Sequence, residues 1–228
     1  MWGNGARIID DNLNYDGVMN SDKMVEAVTW YTSFVKEGLA PESTSLIAMG
    51  GPEEMFKAGK VAMIYWFPGL IEAINLAGDF DLLDNLGVVM LPVAKEGDKP
   101  AVDILYTNAI CISKDSKNKN EAFKFLAARV GKETQKEFVS LGWALPTTTD
   151  LIYELKLLDD PLLKVFADPL VNPDKYVFPK PVEVYSPIAE VIIEHMNNAI
   201  NKIVIGDEDP KKALDEAVAN VKKAEETR

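Results

Sequence analysis

The sequence predicts a helix-rich α/β protein, and three observations carry that prediction. Short, continuously apolar runs alternate with amphipathic helical segments through the first two thirds of the chain. From Leu151 onward the pattern is helical only. The balance of 47% hydrophobic and 26% charged residues over 228 positions is that of a packed globular fold, and no run approaches the roughly 20 apolar residues of a bilayer span.

The elements follow in order. A helix is expected from Ser21 to Glu37: Ser21 or Asn20 caps it, Met24, Val28, Tyr31 and Val35 recur at helical spacing, and Gly38 stops it. Pro52 opens a short helix in GGPEEMFKAGK, and VAMIYW (61–66) reads as a strand. Pro68 starts the next helix, PGLIEAINLA. The runs LGVVMLPV (86–93) and ILYTNAICIS (104–113) read as strands buried on both faces, separated by the polar loop AKEGDKP. A helix over 118–130 is expected to bury Phe123, Leu126 and Val130, and KETQKEFVSL forms a second that ends at Gly142. GWALPTTTD is a crossing loop. One short helix follows Pro161, and two long ones close the chain, capped by Ser186 with Pro187 and by Asp209 with Pro210.

Composition narrows the chemistry. A formal charge of −12 opposes binding to a polyanion, so nucleic acid is excluded as a partner. The start, MWGNGARIID, has neither the basic nor the apolar region of a signal peptide. A single cysteine, Cys111, forbids an internal disulfide and reads as a buried, inert thiol. With one histidine, His195, inside a helical pattern, zinc sites and Ser-His-Asp or Cys-His catalysis lack their ligands and bases. Neither a metal nor an organic cofactor is expected, and the protein reads as a binder rather than an enzyme.

A family resemblance then emerges from five segments in series. NSDKMVEAVTWYTSFVKEGLAP, FKAGKVAMIYWFPG, ISKDSKNKNEAFKFLAARV, GWALPTT and the tail from PVEVYSPIAEV to LDEAVANVKKA are similar, in that order, to blocks of the extracellular solute-binding proteins of ABC sugar importers, the maltose-binding-like group. Each block is mostly packing and capping chemistry; the series is what is specific. The resemblance implies a type II periplasmic-binding-protein-like fold, of which this chain supplies the C-terminal lobe and an incomplete N-terminal-lobe segment. Residues 1–93 and 150–228 would form the second lobe, and 94–149 the hinge crossings and part of the first. Members of the family carry a signal peptide and most of the first lobe ahead of the point where this sequence begins, so a fragment, a split gene product or a shortened chain is implied. Without partner strands, ILYTNAICIS would present an apolar edge, and a homodimer, or non-family packing of that segment, is expected.

The resemblance also implies a function: binding a mono- or oligosaccharide in a cleft between lobes and delivering it to ABC permease subunits, in the periplasm or outside the cell, with an upstream lipid anchor as one possible tether. Sugars are held by aromatic faces and by planar polar groups. Trp143 is the foremost candidate, because Gly142 and Pro146 place it in a loop. Trp2 and Asn4 fall where the family has a cleft-side turn, Trp66 and Phe67 lie in the YWFPG turn, and Tyr185 precedes the helix at Ser186. Tyr106 and Asn108 lie in the apolar run. The sequence departs from the family at Gly69, where an aromatic is usual after the proline, and at Trp66, usually Asp, Asn or Gly. It departs again at Asn108, where a large residue such as Trp is common.

Two other classes compete. A glycoside hydrolase needs two carboxylates about 5–10 Å apart across a cleft, and Glu183 is the one acidic residue placed near the candidate aromatics. A helical interaction module would account for the last third, but for neither the apolar runs nor the loop tryptophans.

Overall fold

The computed structural model describes residues 1–42, 47–48, 50–102, 109–142 and 144–227. They fall into two compact units: Met1–Ser45, Leu91–Ile104 and Lys175–Arg228 form unit 1, and Leu46–Met90 with Leu105–Asp174 form unit 2.

Unit 1 is built on helices. A 3-10 turn over Trp2–Asn4 opens it, and helix α1 spans Asp22–Lys36. The Ser21 hydroxyl accepts from the Met24 N–H, as its spacing predicts. Met24 and Val28 are buried. The stripe then departs from the expected one: Tyr31 is 62% exposed, and Thr32 takes the buried position. Thr32 tolerates burial because its hydroxyl donates to the Val28 carbonyl at 2.8 Å, leaving no unpaired polar group inside.

The remaining helices of this unit come from the end of the chain. Unit 2 holds α2 to α8, described below; unit 1 continues with α9 (Pro181–Tyr185), α10 (Ala189–Ile205) and α11 (Pro210–Glu226). Asp209 caps α11 by accepting from the Lys212 N–H at 2.9 Å, with Pro210 in the first turn. Ser186 forms an entry turn rather than the cap itself: its hydroxyl accepts from the Ile188 N–H at 3.4 Å, and regular helix begins at Ala189. Ile192 and Ile203 of α10 pack with Leu214 and Val221 of α11 and with Ile9, Met19 and Met24 in one core. His195 lies partly exposed on α10, as expected of a residue at a core edge.

Unit 2 is a set of short helices: α2 Pro52–Lys57, α3 Gly69–Ala77, α4 Phe80–Asp84, α5 Lys119–Arg129, α6 Lys132–Ser140, α7 Thr149–Glu154 and α8 Lys164–Val171. The helix α4 was not legible in the sequence; it is too short for periodicity, and Asp79 caps it by accepting from the Leu82 N–H. The core joins Val139 of α6, Ile152 of α7, Ala167 of α8 and the connecting Leu157 and Leu163. Asp160 fixes the turn before α8, its Oδ1 accepting from the N–H groups of Leu162 and Leu163.

The strand expectations are corrected. Among the described residues no strand forms in 61–66, 86–93 or 109–113; the β pairing present is a parallel bridge between Ala101 and Val177, with Val102 N–H donating to Val177 O at 2.8 Å and Val177 N–H to Pro100 O at 3.0 Å. Residues 104–108 of the third run lie outside the described residues. An apolar run favours extended backbone, but a strand needs a neighbour for its N–H and C=O groups, and among the described residues none pairs with these. Burial on both faces fails with it: Met63 is 86% and Val89 85% exposed. Cys111 is likewise exposed, against the expected burial. On α5, Phe123 is 61% and Val130 46% exposed and Leu126 is partly buried, so the expected face is only partly covered among the described residues.

Candidate functional site

Within unit 1 one of the candidate residues, Trp2, meets a buried carboxylate. Glu183, in the middle of α9, is 3% exposed. Pro181 starts this short helix, and Glu183 reaches back as its third residue to accept from the Lys180 N–H at 3.0 Å, the glutamate half of a capping box. Its other oxygen accepts from the Trp2 indole Nε1–H at 3.1 Å and from the Ile8 N–H at 3.3 Å. Arg7 Nε approaches Oε2 at 3.5 Å. The Arg7 guanidinium extends to Asp11 at 3.0 Å, and Asp11 also accepts from Lys180 Nζ at 2.5 Å, so the chain of charges returns to the cap of α9. The Lys180 ammonium, and then Arg7, hold the Asp11 carboxyl below its ordinary range.

A carboxylate taken out of water is tolerated only with such partners. Every partner of Glu183 is a donor, and they engage both of its oxygens. Three N–H donors, from Trp2, Ile8 and Lys180, thus tie Glu183 into the fold.

Trp2 is thus partly buried and oriented. Asn4 is committed to the backbone: its Nδ2 donates to the Lys23 carbonyl at 2.8 Å, and its Oδ1 accepts from the Ala6 N–H at 3.1 Å. Tyr185 ends α9 with 72% of its surface exposed, two residues beyond Glu183.

Unit 2 holds a second aromatic feature. Trp66 and Phe67 stack with centroids 5.5 Å apart and planes 26° from parallel. Phe67 is 56% exposed, while the Trp66 Nε1 is buried and finds no acceptor among the described residues. Gly69 is explained by the same geometry: a Cβ there would lie 2.3 Å from the Phe67 ring. The aromatic missing after the proline is replaced in space by the ring two residues before it. Trp143, Tyr106 and Asn108 lie outside the described residues.

Residues 1–164 match the profile of the bacterial extracellular solute-binding proteins. The chain belongs to that family. Among curated relatives, a binding protein of Brucella abortus (strain 2308) is 27% identical to this solute-binding protein over 223 residues, 96% of this chain and 50% of its own. The galactooligosaccharide-binding protein of Bacillus subtilis (strain 168) is 24% identical over 215 residues, 90% of this chain and 46% of its own. This solute-binding protein therefore spans about half the length of the curated relatives it matches. Among solved structures, the maltose-maltodextrin binding protein of Alicyclobacillus acidocaldarius superposes with a TM-score of 0.71 at 17% identity, covering 97% of this chain and 57% of that one. The fold is accordingly the type II periplasmic-binding-protein architecture, represented here by a helix-rich part of it. The family is extracellular, and no helix among the described residues is long and apolar enough to cross a membrane.

Proposed function

We propose that this protein is the substrate-binding component of an ABC importer, taking a mono- or oligosaccharide and delivering it to membrane permease subunits. The observation that carries the reading is the family match over residues 1–164, with a relative named for galactooligosaccharide binding aligned along 90% of the chain. The exposed aromatics support it. Phe67 offers a stacked, partly immobilised ring, and Trp2 a ring held at its N–H, each suited to the C–H face of a sugar. Trp66, Asn4, Tyr185, Trp143, Tyr106 and Asn108 complete the proposed set of contacts.

The protein acts in this reading without making or breaking a bond, and the engagement of Glu183 by donors favours that. Residues 1–93 and 150–228 would belong to the second lobe of the family fold and 94–149 to the crossings and the first. A lipid anchor upstream would tether it outside the membrane. A homodimer is part of the same reading: Ile110 and Cys111 are exposed apolar groups that a second copy would cover.

Tryptophan fluorescence during titration with maltotetraose and with a galactooligosaccharide tests the reading. A saturable change without product, diminished in Phe67→Ala, is expected. Turnover of a chromogenic glycoside would sink it. Light scattering tests the dimer, for which a clean monomer is the contrary result.

A further inference from the structure

We propose that Glu183 is a positioning residue for saccharide recognition by Trp2. Resting on the sugar-binding reading above, the proposal assigns Glu183 the task of fixing the plane of the indole. Trp2 is partly buried, in the 3-10 turn that precedes α1. Its 3-10 turn holds the backbone, with Gly5 N–H donating to Trp2 O at 3.0 Å. The ring has a single polar handle, Nε1–H, and that handle donates to Glu183 Oε1 at 3.1 Å.

The handle does more than add a bond. With the N–H aimed at a buried carboxylate, the indole of the partly buried Trp2 is held in one orientation. A preorganised ring loses less conformational freedom when a sugar stacks on it than a mobile one would. Glu183 is itself 3% exposed, and beyond Trp2 its oxygens accept from the N–H groups of Ile8 and Lys180, so it is withdrawn from direct contact with a ligand. Its influence therefore passes through Trp2. The charged acceptor matters too, because a carboxylate holds an N–H about twice as strongly as a neutral amide does.

The test uses the full chain with nitrogen-labelled indoles, and two variants. Glu183→Gln keeps the volume and removes the charge; Trp2→Phe keeps an aromatic face and removes the handle, disturbing a single partner of Glu183. The variant Trp2→Phe identifies the Trp2 Nε1–H resonance by its loss. That resonance is expected to exchange slowly with solvent in the wild type and to shift in Glu183→Gln. Calorimetric titration with maltotetraose and with a galactooligosaccharide should show affinity falling about threefold to tenfold in each variant, with the double variant no worse than Trp2→Phe.

If Glu183→Gln moves the resonance and leaves sugar affinity at the wild-type value, the residue is merely structural and the proposal is overturned. An unmoved resonance overturns it as well. A wild-type chain that binds neither sugar overturns the saccharide reading and the positioning role with it. In that case a shifted resonance in Glu183→Gln still locates the failure in the ligand rather than in the tie. Should Glu183→Gln fail to fold by circular dichroism, Trp2→Phe alone decides: unchanged sugar affinity there refutes the role of the handle.

Discussion

The Tyr15 hydroxyl donates a hydrogen bond to the Glu225 carboxylate, tying the loop ahead of α1 to the last turn of α11. Beside it, Lys222 Nζ pairs with Asp16 at 2.6 Å. Burial, and then the bond to Glu225, raise the Tyr15 phenol above its ordinary value of 10.0. A phenol raised in the folded state favours the neutral form there, so its contribution is complete below pH 10 and is lost as the pH rises toward the folded value. Replacing Tyr15 with Phe is expected to lower stability by about 1 kcal/mol at neutral pH, with the gap to wild type narrowing above pH 10. Urea unfolding at a series of pH values measures it.

Two isoleucines on one helix give a second expectation. Ile203 is fully buried in α10 and Ile205 is 80% exposed. Ile203→Ala should cost about 2–5 kcal/mol through lost contacts and a residual cavity. Ile205→Ala should stay within about 0.5 kcal/mol. Equal effects of the two in urea unfolding would contradict the packing described for unit 1.

Gly142 carries a third. Its φ of 79° is a left-handed conformation, and a Cβ there would meet Ile71 Cγ2 at 2.9 Å. Both terms act against a side chain, so Gly142→Ala should destabilise by about 1–3 kcal/mol, read as a lower thermal midpoint.

The exposed thiol supplies a fourth. Cys111 should react fully with a thiol-specific chromogenic reagent in dilute, monomeric folded protein without denaturant, and more slowly at concentrations where a second copy covers it. Labelling that requires denaturant at every concentration would mean that the residue is covered within its own chain.

Local signals were legible, and pairings across the chain were not. Ser21, Pro52 and the Asp209-Pro210 pair start helices where they were expected, because a cap or a first-turn proline acts within three residues of itself. The runs at 61–66 and 86–93 have the composition of strands but no neighbour to complete a ladder, and composition cannot supply one. The candidate site divides the same way. Trp66 and Phe67 adjoin in sequence and stack in space. Glu183, by contrast, stood out only as an acidic residue near aromatics, since its partners Trp2 and Ile8 lie 181 and 175 positions away. Gly69 was legible as a departure from the family, and became explicable once the Phe67 ring was seen above it.

The composition of the unit 1 core fixes an order of events during synthesis. Ile9, Met19 and Met24 are made well before the groups that bury them, Leu214, Val218 and Val221. Unit 2 lies wholly between these two sets and takes its core from residues already made by position 171. The nascent chain can therefore pack unit 2 on the ribosome while the first segment of unit 1 waits, its apolar face uncovered, for α11 to emerge. Closing that separation carries the loop entropy of the whole stretch between Met24 and Leu214, which makes the completion of unit 1 a non-local step of folding.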